Sequence, residues 1–302
     1  MVIGGAGFIG SHLVERLMST ISVAEPVWVD VVDDLSTGSL AHLGEARALA
    51  TAVSGSLRIH HLDASGAETA SLIAMRRPSV IYVCASVPHS DAPASEITAA
   101  FELLVQVLEA ARRSEVTKVV ALVPASVIYG TPQARALPIK EREVEPRGLR
   151  GVVARAMVDL LEVYRNQYAL EFTVLAIGSV YGTRQRHGVV AALREAHLAG
   201  QVPVIRGDGR ETRDFVHVDD VVDALVRAGQ RGSGLVINIG TGVQTSIDDL
   251  WRLISGSAQP PEHDLSGASG LARFALSTVR ARIHLGWSPW TSLADGLAIT
   301  EP

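Results

Sequence analysis

Gly4-Gly5-Ala6-Gly7-Phe8-Ile9-Gly10, running directly into Ser11-His12-Leu13-Val14, decides the reading of this chain. Its glycines follow the pattern G-x-x-G-x-x-G between a short apolar strand and an amphipathic helix, the arrangement with which a doubly wound fold builds a dinucleotide phosphate site. Gly4 takes the tight turn and Gly7 lets the backbone approach a pyrophosphate. Gly10 lets the helix pack on the sheet while the N–H groups of Phe8, Ile9 and their neighbours face the anion. Residues 26–32 then read as an apolar strand ending in Asp33-Asp34, roughly twenty residues on, where a carboxylate accepts from the adenine ribose hydroxyls. An acid at that point repels a ribose phosphate, so NAD is expected in preference to NADP.

Composition sets the outer bounds. With 302 residues, 47% hydrophobic, 20% charged and a net charge of −5, the chain has the make-up of a soluble globular protein with one extended core or two lobes. Nothing in it suggests nucleic acid, and its apolar runs are too short for a membrane span. The lone Cys84 lies in an apolar run, which reads as a buried small residue and excludes an internal disulfide; with no leader expected before the glycine motif, the compartment reads as cytoplasmic. Arginine is abundant, but the only lysines are Lys118 and Lys140. The ten histidines show no metal-ligand spacing.

β-branched runs at 27–32, 57–62, 80–84 and 118–123 alternate with segments of helical period, which predicts a parallel, doubly wound α/β sheet of Rossmann type. The longest helices are expected at 97–114 and 152–167. Strands at 172–177, 202–205 and 234–238, and helices at 189–199 and from Val218, follow. Residues 255–270 read as a surface loop. The expected division is an NAD-binding domain over 1–175, with 207–240 contributing to it, and a smaller substrate lobe from 176–206 and 241–302. Only three residues precede the glycines, short for a central strand, so a truncated first strand is one expectation, with weak nucleotide binding as its consequence.

Together these residues resemble the extended short-chain dehydrogenase/reductase superfamily, in its NAD-dependent nucleotide-sugar epimerase/dehydratase branch typified by UDP-glucose 4-epimerase. The marks are GGAGFIG at 4–10, DDLSTG at 33–38, VIYVCAS at 80–86, SVIYG at 126–130, VYGTRQ at 180–185, GDGRETRDFVHVDD at 207–220, NIGTG at 238–242 and LGW at 285–287. The resemblance implies that Asp33, Asp34, Ser36 and Gly38 hold the adenosine half of NAD. Asp63 and Ala64 would then meet the adenine, and Val83, Cys84, Ala85 and Ser86 would line the cofactor. It also implies that Arg213, with Ser179 nearby, receives the diphosphate of a nucleotide sugar, UDP-linked above all. A homodimer is implied too, built from the helices at 97–114 and 152–167, whose Phe101, Leu104, Val105, Leu108, Met157, Leu160 and Leu161 exceed one sheet-facing stripe.

The catalytic positions depart from the pattern. The family's Ser or Thr, four residues before Tyr129, is Ala125; counting from Pro146, its Tyr-x-x-x-Lys falls on Arg150 and Ala154. A tyrosinate tuned by lysine is the general base of such sites, and a guanidinium has no acceptor with which to replace it. The family's Arg-Tyr-Phe-Asn reads Ala176-Ile177-Gly178-Ser179, and its second diphosphate arginine is absent from 266–269, with Arg273 as a candidate substitute. His89 is the candidate replacement base, with Glu141, Glu143 and Glu145 behind it. The Asp219-Asp220 pair is expected to open a helix. Three functions stay open: an NAD-binding homologue without hydride-transfer machinery, an enzyme of altered chemistry using a substitute base, and an ordinary UDP-sugar 4-epimerase.

Overall fold

The computed structural model describes residues 1–19, 28–52, 57–85, 92–130, 137–141, 148–256, 259–267 and 272–300. The first half runs β1 (Val2–Ile3), α1 (Phe8–Ser19), β2 (Val29–Asp33), α2 (Gly44–Ala52), β3 (Leu57–His61), α3 (Ala67–Arg76), β4 (Val80–Val83), α4 (Ala94–Arg113), β5 (Lys118–Pro124), α5 (Ala125–Tyr129) and α6 (Gly148–Tyr168). Next come β6 (Glu171–Ile177), β7 (Ser179–Tyr181), α7 (Val189–Leu198), β8 (Val204–Arg206), β9 (Thr212–Arg213), β10 (Phe215–His217) and α8 (Val218–Gln230). The chain closes with β11 (Leu235–Ile239), β12 (Thr245–Ser246), α9 (Ile247–Ser255), β13 (Glu262–Asp264), α10 (Val279–Leu285) and α11 (Leu293–Ile299).

Seven parallel strands form the main sheet in the order β11-β6-β5-β4-β1-β2-β3, as the alternating pattern predicts. Strand side chains alternate between two cores. Ile3, Val32, Val83, Val119 and Ala121 face α3, α4 and α6, whereas Val2, Val31, Tyr82, Val120 and Leu122 face α1 and α8. Burial on both faces is why these strands read as continuous apolar runs. The strand order reverses between β1 and β4, and a doubly wound fold binds its ligand at the carboxyl ends of the strands flanking that switch.

The smaller elements gather around a third core of Tyr181, Leu193, Phe215, Leu250, Trp251 and Leu297. They include three two-stranded pairs, β7 with β10, β9 with β12, and β8 with β13; of these strands β8 overlaps the one expected at 202–205, and the others are too short, at two or three residues, to show a period. β13 lies inside the stretch expected to be loop. Residues 281–287 join the large core instead, through Ala281, Leu285 and Trp287.

The two long helices pack on each other, which consumes most of the surplus apolar surface expected for a partner. Leu104, Leu108, Met157 and Leu161 are at most 1% exposed within the subunit. Phe101, Val105 and Leu160 are half-buried, and Val152 and Val163 stand out from α6.

Candidate functional site

The glycine loop is built as its spacing requires. Gly4 has φ +73°, and a Cβ there would stand 2.9 Å from the backbone N of Ala85, so β1 turns hard against the end of β4. At Gly10 a Cβ would lie 2.1 Å from the Gly4 carbonyl oxygen, whereas at Gly7 it meets only that oxygen, at 3.3 Å. Gly10 is therefore held by protein, whereas Gly7 has a single backbone oxygen against it, at the N-terminus of α1 where a pyrophosphate would lie. Gly10→Ala is expected to destabilise the fold, and Gly7→Ala to leave the melting temperature unchanged while abolishing NAD binding. Melting curves and calorimetry decide it, and equal effects of the two changes would refute this division of roles.

Asp33 ties this loop to the next. Its buried carboxylate accepts from Ala6 N at 2.8 Å and Leu35 N at 2.9 Å. Two of about four acceptor positions remain for ribose hydroxyls. The Ala6 carbonyl accepts from Ser39 N at 3.0 Å and His42 Nδ1 at 2.8 Å, and Gly38 packs so closely that a Cβ would meet Ala6 C at 2.8 Å. Nothing in the sequence marked His42 as part of this clamp. Asp34 and Asp63 serve first as turn formers, Asp34 accepting from the N–H and hydroxyl of Ser36 and Asp63 from those of Ser65. Ala64 and Val83 are buried. Burial, reinforced by Asp33, pushes the Cys84 thiol up to about 12, so it is no nucleophile at neutral pH. Ser86, His89, Glu143 and Glu145 lie outside the described residues.

α1 is also fastened to the residues after β7. His12 Nδ1 donates to the Phe8 carbonyl at 2.9 Å, leaving Nε2 to accept from Thr183 Oγ1 at 2.9 Å. Arg184 donates to Ser11 Oγ at 3.1 Å and pairs with Glu15 at 2.5 Å. These long-range ties join the nucleotide helix to the segment leading into the smaller lobe, and no local pattern announces them.

At the end of β5, Ala125 and Ala154 are fully buried in one core. Arg150, half-buried in the first turn of α6, lines a cavity of about 360 Å³ with Ser126, Val127, Gly130 and Leu149. Tyr129 is spoken for: its hydroxyl donates to Asn238 Oδ1 at 2.7 Å, and burial raises its pKa above the ordinary tyrosine value. Glu141, a candidate behind His89, is held within the protein. Its side chain is 7% exposed, accepts from Asn238 N at 2.9 Å and faces Arg280 at 3.8 Å. The remaining tyrosines and lysines are equally committed or remote. Tyr82 packs on Gly229, Tyr164 donates to Glu109 at 3.0 Å, Tyr168 lies under Arg112, and Tyr181 reaches the Ser292 carbonyl at 3.4 Å. Lys118 Nζ donates to the Arg231 carbonyl at 2.5 Å, and burial lowers its pKa to about 8; Lys140 is exposed.

A second cavity of about 400 Å³ adjoins the first through Ser126 and Gly130 and is lined by Ser179, Glu211, Arg213 and Arg273. Arg213 is paired with Glu211 at 3.0 Å, both about two-fifths exposed at 41% and 43%, a pair weak enough for a phosphate to displace. Thr212 N donates to the Ala272 carbonyl at 3.0 Å and Phe274 N to Thr212 Oγ1 at 3.2 Å. That pairing sets Arg273 beside Arg213, which sequence distance could not. Gly178 suits its place because a Cβ there would lie 2.7 Å from the Asp214 carbonyl. Asp214, fully buried, accepts from Thr241 N and Oγ1, Gly242 N and Leu276 N at 2.6–3.0 Å. Asp219 and Asp220 open α8 as expected, and Asp220 also holds Trp290 N and Thr291 N. Among the described residues no group of His, Cys, Asp and Glu could hold a metal ion, and no helix is long and apolar enough to cross a membrane.

Residues 1–240 match the NAD dependent epimerase/dehydratase family. The chain belongs to this family. Its cofactor is NAD, and the glycine turn at the α1 N-terminus and the spare acceptors of Asp33 fit it. The chain is 39% identical over 312 residues to a UDP-glucose 4-epimerase of Mycolicibacterium smegmatis, covering 99% of this chain and 96% of that protein. Among solved structures it resembles the UDP-glucose 4-epimerase of Thermotoga maritima with UDP-glucose, at TM-score 0.87 and 30% identity over 99% of this chain and 96% of that one. It also resembles the UDP-glucuronic acid 4-epimerase of Bacillus cereus with NAD, at TM-score 0.83 and 26% identity over the same shares.

Proposed function

We propose that this epimerase/dehydratase family member binds NAD and a nucleotide sugar, UDP-linked by analogy with its relatives, but lacks the machinery for hydride-transfer epimerisation. One observation carries the reading: no tyrosine or lysine is among the described residues lining the cavity at Arg150, and Tyr129, Tyr164 and Lys118 are tied to structural partners. When bound, NAD supplies a hydride acceptor. The chain's own groups would grip the diphosphate through Arg213 and Arg273, and Ser126 and Ser179 offer hydroxyls to the sugar. None of these groups takes a hydroxyl proton near neutral pH. A second reading, favoured by the near-complete coverage of UDP-glucose 4-epimerases, has His89 as a substitute base. Spectroscopy of the NAD-loaded protein mixed with UDP-sugars separates the two: the first reading expects no reduction of the cofactor, and reduction favours the second.

The domain division proposed is 1–175 with 207–240 for the cofactor, and 176–206 with 241–302 for the substrate, Ala281, Leu285 and Trp287 of the latter packing into the core of the main sheet; the compartment proposed is the cytoplasm. A homodimer through α4 and α6 is also proposed, with Phe101, Val105, Leu160, Val152 and Val163 forming its apolar contact. Sedimentation is expected to give a dimer at tens of micromolar, and Val152→Glu with Val163→Glu a folded monomer. A monomeric unmodified protein would sink the proposal.

A further inference from the structure

The peptide planes on either side of Ala6 are set from outside the glycine loop. The plane before it is fixed where Ala6 N donates to Asp33 Oδ2 at 2.8 Å. The plane after it is fixed at the Ala6 carbonyl oxygen, whose two lone pairs accept from Ser39 N at 3.0 Å and from His42 Nδ1 at 2.8 Å, 36 residues along the chain. Glycine at position 7 makes such pins necessary, because a residue without a Cβ accepts either sign of φ and lets the Ala6–Gly7 plane turn over. Turned over, that plane loses the hydrogen bond from Gly7 N to the Gly4 carbonyl at 3.3 Å and brings the Ala6 and Gly4 carbonyl oxygens together beside the N-terminus of α1. Carbonyl oxygens there oppose the anion that the helix N–H groups attract.

His42 is half-buried and reaches the loop from a 3₁₀ turn, Leu40–Leu43. That turn is anchored by Leu43, fully buried in the core that also holds Val2 and Val31, and opened by Ser39, whose hydroxyl accepts from Ala41 N at 3.3 Å. The imidazole Nδ1 carries a hydrogen in this contact whether the ring is neutral or charged, since a carbonyl can only accept. Ser39 donates through its backbone, so among the described residues His42 supplies the one side chain on this carbonyl. From this geometry we infer that His42 is a positioning residue of the cofactor site: it acts through the Ala6 carbonyl and keeps the Gly4–Gly10 loop in the form that receives the NAD pyrophosphate.

The test is calorimetry of NAD and of adenosine with nucleotide-free protein, unmodified and as His42→Asn, His42→Leu and His42→Ala, beside melting curves. Asparagine sets an amide N–H where the imidazole Nδ1–H stands, so His42→Asn should hold the NAD affinity to within about two-fold. The donor-free His42→Leu and His42→Ala should weaken NAD about five- to ten-fold, the worth of one net hydrogen bond. Adenosine, which brings the ribose for Asp33 but no phosphate, should bind every variant as it binds the unmodified protein. Unchanged NAD affinity in the donor-free variants would overturn the inference, and so would an asparagine variant as weak as they are. An equal loss for adenosine and NAD would overturn it by making His42 a support of the whole cleft. Failure of both donor-free variants to fold would do the same by assigning the residue to the fold.

Discussion

NAD-loaded protein given UDP-glucose is expected neither to form UDP-galactose at a rate typical of such enzymes nor to show reduced cofactor. General acid–base catalysis is worth roughly 10²–10⁴-fold, and the positions that would supply it are Ala125, Arg150 and Ala154. Restoring them together, as Ala125→Ser, Arg150→Tyr and Ala154→Lys, should permit substrate-dependent reduction of NAD. Single changes should do little, because the groups act as a unit. The structure adds a cost to this gain. Ala125 and Ala154 are fully buried in the core beneath the cleft, so the added side chains must displace packed neighbours at typically 1–3 kcal/mol each. A lower melting temperature is therefore expected with the gained reaction, and the assay belongs well below it. Robust epimerisation by the unmodified protein would overturn the reading, and its loss in His89→Ala would identify the substitute base.

Asp214→Asn should be strongly destabilising although it is isosteric. Each carboxylate oxygen accepts two hydrogen bonds, Oδ1 from Thr241 N and Oγ1, Oδ2 from Gly242 N and Leu276 N. An amide keeps one acceptor oxygen and turns an NH₂ toward two donors that it cannot satisfy. With about 1–3 kcal/mol for each buried group left unpaired, the loss comes to roughly 2–6 kcal/mol, read as a fall in denaturant midpoint at constant slope. Binding of UDP should weaken in parallel, since the Asp214 carbonyl accepts from Ser179 N at 2.7 Å and Asp214 follows Arg213 directly. A change below about half a kcal/mol, the range of an ordinary surface substitution, would refute this account of the residue.

Local chemistry made the cofactor half of the site legible. Gly4, Gly7 and Gly10 announce a backbone that must pass close to something, and the structure separates what they approach: Gly4 meets Ala85, Gly7 only the Gly4 carbonyl oxygen at 3.3 Å, and Gly10 the Gly4 and Gly5 backbone. Asp33 is legible for the same reason, since it ends a strand next to that loop. Its contact with Ala6 N was not, because a hydrogen bond spanning 27 residues leaves no trace in spacing. Glu141 shows the opposite failure. Local sequence offered it as a candidate base behind His89 and said nothing of its partners, whereas tertiary folding buried its side chain against Asn238 and Arg280.

By itself the sequence determined the alternation of strand and helix, the parallel sheet, the dinucleotide loop and the lack of any tyrosine followed four residues on by a lysine. Each is a property of residue type at short spacing: β-branched runs buried on both faces, glycines where a Cβ cannot stand, and an arginine that cannot release its proton. Only the tertiary structure decided that Arg273 and Arg213 line one cavity, that Ser126 and Gly130 line both this cavity and the one at Arg150, and that His12 and Arg184 fasten the nucleotide helix to the segment after β7. The reason is physical. These contacts join residues that lie far apart along the chain, and their geometry is set by the packing of three separate cores rather than by the conformational preference of any local segment.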